Sequence, residues 1–231
     1  MQSEVEKNQM TKSEYLKLTV EHKQKIGSFD FKVLRIKDID TLFSLLLDKT
    51  HADISLTDER MPYWADLWPS AIALSEYLTE HSTLVKNQEV IELGCGLGLP
   101  GMVASTLGGK VLMTDYLEEA ISFARLNWEQ NVSSVFNSEL VDWRNVDGKK
   151  KYDVVLASDV AYENRSFQPL LLSFKALIKK NGKILLSEPN RKFASPFIEL
   201  LKSEFEIKKT NRPVQLDSIN YVISIYECRL L

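Results

Sequence analysis

Val90-Ile91-Glu92-Leu93-Gly94-Cys95-Gly96-Leu97-Gly98-Leu99-Pro100-Gly101 reads as an apolar strand that breaks into a glycine-rich turn and continues as a helix. Glycine lets the backbone turn sharply and lie against a ligand where a Cβ would stand in the way. In a parallel sheet, the crevice at the carboxyl ends of the strands is where such ligands sit. A tight turn that binds nothing is the bland reading. Three alternating glycines between a strand and a helix favour a ligand-binding turn.

Working outward, strand-like runs at Glu89 to Leu93, Lys110 to Met113, Tyr152 to Ala157 and Lys183 to Leu186 alternate with helix-length stretches at Pro100 to Leu107, Leu117 to Asn131 and Phe167 to Lys179. This is the rhythm of βαβ units and predicts an α/β fold around a mainly parallel, buried sheet. Phe136 to Val141 supplies a further strand. Phe205 to Lys209 and Tyr221 to Tyr226 pair as a closing hairpin beyond a helix near Pro196 to Leu201. Before the turn, Pro69 opens a helix through Leu78. Asp38 caps a short helix from Ile39 to Leu47, and Phe29 to Ile36 alternates as a strand. Residues 1 to 27 read as a polar tail in which Tyr15 to Val20 leads into an edge strand. The predicted division is an N-terminal tail and lid or edge at 1–60 and one ligand-binding domain at 61–231.

The chain has 231 residues, 44% hydrophobic and 26% charged, with a formal net charge of -3. That size suits one α/β domain with an elaboration, and the charge offers no cationic surplus for a phosphate backbone, so nucleic acid is not an expected partner. With neither an apolar leader nor a run long enough to span a bilayer, a cytoplasmic protein with no membrane partner is expected. Cys95 and Cys228 have no paired spacing, and His22, His51 and His81 are scattered, so no metal site is predicted.

The turn admits two ligands. Gly96-Leu97-Gly98-Leu99-Pro100-Gly101 satisfies the dinucleotide fingerprint, and Asp115 follows about 20 residues on, where a ribose ligand belongs. Glu92, two positions before Gly94, favours the other reading. A carboxylate there suits the cationic or amine end of S-adenosylmethionine and repels a pyrophosphate. Asp115 accepts hydrogen bonds from ribose hydroxyls under either reading, and its bland role is to cap the helix from Leu117.

Further marks join these residues: Pro62-Tyr63-Trp64-Ala65-Asp66-Leu67-Trp68-Pro69-Ser70-Ala71 ahead of the turn, Asp142-Trp143, and Ser158-Asp159-Val160-Ala161-Tyr162. With them the chain resembles the seven-β-strand methyltransferases, in particular the small protein-lysine methyltransferase branch, over roughly residues 60 to 190. The resemblance implies a Rossmann-like sheet with helices on both faces. Counting strands from Glu89, its order is 3-2-1-4-5-7-6, with the last strand antiparallel.

By the same resemblance, Trp68 and the turn Gly94, Cys95 and Gly96 border S-adenosylmethionine, with Glu92 beside them. Asp115 holds the ribose, Asp142 and Trp143 meet the adenine, and Ser158 lines the pocket. Asp159 and Tyr162 form a D-x-x-Y motif at the acceptor side. The bland alternatives are that Trp143 covers the core, that Asp159 caps a helix and that Tyr162 packs. Trp64, four residues before Trp68, is expected in the core. Tyr63, Phe167, Asn190 and Arg191 carry no pattern that assigns them a place.

The implied reaction is direct displacement, in which a nitrogen takes the methyl group and S-adenosylhomocysteine leaves. Its acceptor is a lysine of a protein substrate. A lysine must first lose a proton, which is uphill by roughly 4 to 5 kcal/mol at neutral pH from its reference pKa. The alternatives are a small-molecule N- or O-methyltransferase, an NAD(P)-binding oxidoreductase, and a non-catalytic binding module on the same fold.

Overall fold

The computed structural model describes residues 10–50 and 62–231. The first nine residues of the tail expected at 1–27, and the end of the expected lid with the boundary at 60, lie outside the described residues. The chain opens with α1 (Lys12–Lys17), followed by the antiparallel hairpin β1 (Thr19–Ile26) and β2 (Phe29–Ile36) and then α2 (Ile39–Thr50). From Pro69 come α3 (Pro69–Glu80), β3 (Glu89–Leu93), α4 (Leu99–Thr106), β4 (Lys110–Asp115), α5 (Glu118–Asn131), β5 (Ser138–Leu140) and β6 (Tyr152–Ser158). The chain closes with α6 (Phe167–Leu177), β7 (Ile178–Glu188), α7 (Ser195–Lys202), β8 (Phe205–Leu216) and β9 (Ile219–Leu230).

The main sheet has seven strands in the order β5-β4-β3-β6-β7-β9-β8. β3, β4, β5, β6 and β7 pair in parallel, while β9 runs antiparallel to both β7 and β8. This is the expected order. Alternate residues of each strand feed two apolar cores. Val90, Val111, Val154 and Leu156 face one that takes in α3, α4, α5 and the hairpin, whereas Ile91, Leu93, Val155 and Ala157 face one formed with α6 and α7. Helices therefore cover both faces, which is why the strands read as continuous apolar runs.

After β3 the chain winds outward to β5, then returns to β6 on the other side of β3. The neighbouring ends of β3 and β6 are thus a topological switch point, where connections leave in opposite directions and open a crevice.

Several expectations change. Tyr15 to Val20 leads into an edge strand as expected, but only Thr19 and Val20 belong to it. Thr11 and Glu14 form a reciprocal capping box, with Thr11 N donating to Glu14 Oε2 at 2.7 Å and Glu14 N to Thr11 Oγ1 at 3.3 Å, so α1 forms first and the strand begins at Thr19. The hairpin does not extend the main sheet but makes a two-stranded sheet of its own. β8 runs well past Lys209 and contains Pro213, which the edge position allows because one side of that strand needs no donor. Asp38 caps α2 as expected, its Oδ1 accepting from the N–H groups of Asp40 and Thr41.

Two asparagines on α5, one helical turn apart, hold the hairpin. Asn127 Oδ1 accepts from Leu34 N at 2.7 Å, and its Nδ2 donates to Leu34 O at 3.3 Å and Leu97 O at 3.0 Å. Asn131 Oδ1 accepts from Lys32 N at 2.8 Å, and its Nδ2 donates to Lys32 O at 2.7 Å. The side-chain amides act as rungs of a ladder on the outer edge of β2, satisfying backbone groups that would otherwise be left without partners.

Candidate active site

A cavity of about 370 Å³ lies over the switch point. Its floor is the turn from Gly94 to Leu99 after β3, and its walls come from Asp115 to Leu117 after β4, Ser158 to Tyr162 after β6, Arg191 and Phe193 after β7, and Tyr63 to Trp68 before α3. Each parallel strand thus delivers its next residues to the same edge.

The turn depends on missing side chains. Gly94 has φ +62°, and a Cβ there would come within 2.8 Å of the Trp143 ring. Gly101 lets α4 sit on β3 and β4, where a Cβ would run into Met113 and would lie 2.6 Å from Glu92 Oε2.

Nine of the expected residues line the cavity: Trp68, Gly94, Cys95, Gly96, Asp115, Trp143, Ser158, Asp159 and Tyr162. Two do not. Glu92 is fully buried beneath the turn, where its Oε2 accepts from Gly101 N at 2.9 Å and its Oε1 has no hydrogen-bond partner. Burial holds its carboxyl well above the usual range. The expectation that it faces a ligand therefore gives way to an anchoring contact with the first turn of α4. Asp142 binds Arg144 instead, through the backbone N–H at 2.9 Å and Nε at 2.8 Å. It caps a short turn at Trp143–Asn145, so Trp143 alone of the pair reaches the cavity.

Asp115 is 5% exposed; its Oδ2 accepts from Gly96 N at 3.1 Å and its Oδ1 from Leu117 N at 3.2 Å. The capping and ligand-facing readings thus coexist. Burial pushes its carboxyl up to about 6 despite the backbone hydrogen bonds. Trp143 packs in the core against Gly94, the bland reading, and also lines the cavity. Trp64 contacts Tyr15 and Phe123 with ring centroids 5.7 and 5.0 Å apart, the expected core packing, and also borders the cavity.

At the outer end stand Tyr63, Trp68 and Tyr162. The Tyr63 ring lies 6.1 Å from Trp68 and 5.8 Å from Tyr162, and Trp68 Nε1 donates to Tyr63 O at 2.7 Å. Asp159, with φ +57°, is held by its N–H donating to Ser187 O at 2.9 Å, and its carboxylate is paired by both terminal nitrogens of Arg191. Burial raises its carboxyl, and the guanidinium pulls it back toward the ionised form. Sequence reading left Arg191 and Tyr63 unplaced. The signal for Arg191 was its position just past the carboxyl end of a parallel strand, the ligand edge. Phe167 and Asn190 are elsewhere: Phe167 packs on Phe197 at 5.3 Å, and Asn190 Nδ2 donates to Val222 O at 2.8 Å.

Strand order, switch point and glycine turn define a Rossmann-like methyltransferase. Magnesium protoporphyrin IX methyltransferase from Synechocystis PCC 6803, solved with bound S-adenosylhomocysteine, shares the fold with a TM-score of 0.55 and 17% identity over 69% of this chain and 81% of that one. Protein N-lysine methyltransferase METTL21A of Xenopus tropicalis is 33% identical over 62% of this chain and 69% of its own length. Protein-lysine methyltransferase METTL21E of Mus musculus is 31% identical over 66% and 69%. The lysine methyltransferase family matches residues 48–204, and the chain belongs to it.

Proposed function

We propose that the chain transfers a methyl group from S-adenosylmethionine to a lysine side chain of a protein substrate, with the acceptor entering past Tyr63, Tyr162 and Asp159. The observation that carries this reading is the shared cavity: Asp115, the glycine turn and the D-x-x-Y pair, from three strand ends, line one space. The residues fit an adenosyl group. Asp115 is a buried carboxylate at the cavity wall, able to accept from two ribose hydroxyls, and Trp143 offers an apolar face beside the turn. When bound, S-adenosylmethionine supplies an electrophilic methyl on a sulfonium.

The chain's own contribution is position. Gly94, Cys95 and Gly96 form the wall against the donor, and Trp68 and Tyr63 close the outer side. Tyr162 and the corner at Asp159, whose carboxylate is paired by Arg191, set the place of the acceptor nitrogen within about 3 to 3.5 Å of the reacting carbon, which lowers the barrier without an acid–base dyad. Ser158 lines the passage between the two ends. Glu92 and Asp142 hold the scaffold around the donor, the first under α4 and the second at the Trp143 turn.

Incubating the protein with methyl-labelled S-adenosylmethionine and a cell lysate tests the reading. Label on lysine in a protein band, located by mass spectrometry, is the expected result. Label confined to small metabolites overturns it in favour of a small-molecule methyltransferase.

A further inference from the structure

Besides Asp115, the carboxylates that line the cavity are Asp66, Asp159 and Glu163; Asp159 and Glu163 each pair with an arginine, whereas Asp66 shares Arg35 with Asp217, whose oxygens lie 2.8 and 3.1 Å from Arg35 Nη1 and Nη2. Arg35 Nη1 is 3.2 Å from Asp66 Oδ1, and Arg165 Nε is 2.6 Å from Glu163 Oε2. Arg191 takes both oxygens of Asp159, with Nη2 to Oδ2 at 3.0 Å. The Asp159 side chain is only 8% exposed, so little of it is left for another partner.

The Arg191 placement is built. Glu188, at the end of β7, accepts from Asn190 N at 2.6 Å and Arg191 N at 2.8 Å, which turns the chain back toward β6. Asn190 takes φ +61° at that corner, and its Oδ1 accepts from Ser224 Oγ at 2.5 Å. The Arg191 guanidinium also lies 5.9 Å from the centroid of the Phe193 ring, on the cavity rim. Backbone, carboxylate and ring together set one position for a long side chain.

Resting on the reading of this cavity as an acceptor site, we infer that Arg191 is a specificity-determining residue: by pairing with both oxygens of Asp159 it withholds that carboxylate as a counter-ion from a cationic acceptor. The acceptor nitrogen is therefore taken as a neutral amine, and a group that stays cationic, such as a guanidinium, is refused. A bare carboxylate at Asp159 would bind an ammonium and keep it protonated, with its lone pair tied up. With the pair in place the proton goes to water first. The amine lone pair then forms the N–C bond as the C–S bond breaks, sulfur keeps that electron pair, and the new alkylammonium gives its extra proton to solvent.

The test uses n-butylammonium as an unreactive lysine mimic, titrated calorimetrically into protein saturated with S-adenosylhomocysteine. Arg191→Met frees Asp159 and should bind n-butylammonium at least tenfold more tightly than the wild type, and adding Asp159→Asn should remove the gain. Arg191→Lys, with a single-point cation, should gain about threefold, and it decides the matter alone if the Met variant does not fold cooperatively. In the lysate assay Arg191→Met should lower both the half-saturating acceptor concentration and the maximal rate, a split that simple loss of structure would not give. Binding of n-butylammonium no tighter than in the wild type overturns the inference and leaves the methyltransferase reading standing. A wild type that ignores S-adenosylhomocysteine overturns both.

Discussion

Asp115 shows how one residue joins folding chemistry to ligand chemistry. Burial disfavours the charge and pushes its carboxyl up to about 6. On the proposed ribose contact only the ionised form offers acceptors to both hydroxyls, so the affinity for S-adenosylhomocysteine should level off above pH 7 and fall about tenfold per unit below 6. Calorimetry from pH 5 to 8 checks this, and Asp115→Asn should bind weakly at every pH with the slope removed.

Glu92 lies fully buried beneath the turn and outside the cavity lining. A carboxyl whose folded pKa lies above its unfolded value contributes stability that is fully present below the unfolded value and lost as pH rises through the folded one. Glu92→Gln keeps an acceptor for Gly101 N and does not titrate. It should therefore gain stability relative to the wild type as the pH rises above the ordinary carboxyl value of 4.5 in urea denaturation, and a constant difference would refute the assignment. Asp159→Ala tests the acceptor end: turnover should vanish while S-adenosylhomocysteine affinity stays within about threefold, because Asp159 lies on the far side of the turn from Asp115.

At the scale of elements, the hairpin and the glycine turn share one clamp. Asn127 is fully buried, and its amide satisfies both Leu34 on β2 and Leu97 in the turn. Asn127→Leu strands three backbone partners, and at about 1 to 3 kcal/mol per orphaned group it should destabilise the fold by several kcal/mol. Proteolysis should then cut first in the hairpin. A loss below about 1 kcal/mol would mean that the clamp is dispensable.

Sequence legibility divides along the same elements. The parallel strands were readable because burial on both faces leaves continuous apolar runs, and Asp38 and Pro69 announce their helices by chemistry local to the chain. The Thr11-Lys12-Ser13-Glu14 box was equally local, yet the alternation after Tyr15 obscured it. β8 runs beyond the expected Lys209 and through Pro213, which only its edge position allows. The asparagine rungs left no periodic mark, since they join residues about a hundred positions apart.

At the scale of the molecule, the cavity lies between segments that ligand binding would tie together, so occupancy should stabilise the whole domain. With S-adenosylhomocysteine at 100 times its Kd, linkage predicts about 2.7 kcal/mol. For a chain of 231 residues this amounts to a rise in Tm of roughly 5 to 10 °C. NAD under the same conditions should give no shift. A shift with NAD instead would return the turn to the dinucleotide reading.

By itself the sequence determined the parallel sheet, the glycine turn at its centre and the residues that gather at the strand ends, because periodicity, turn chemistry and spacing are properties of neighbours along the chain. Only the tertiary structure decided that Glu92 lies under the helix rather than in the cavity, that Asp142 turns to Arg144, and that Arg191 covers Asp159. For Glu92 and Asp159 the outcome depends on which group a buried charge meets once segments have packed, whereas Asp142 finds its partner two residues along the chain, in a turn whose shape only the folded backbone reveals.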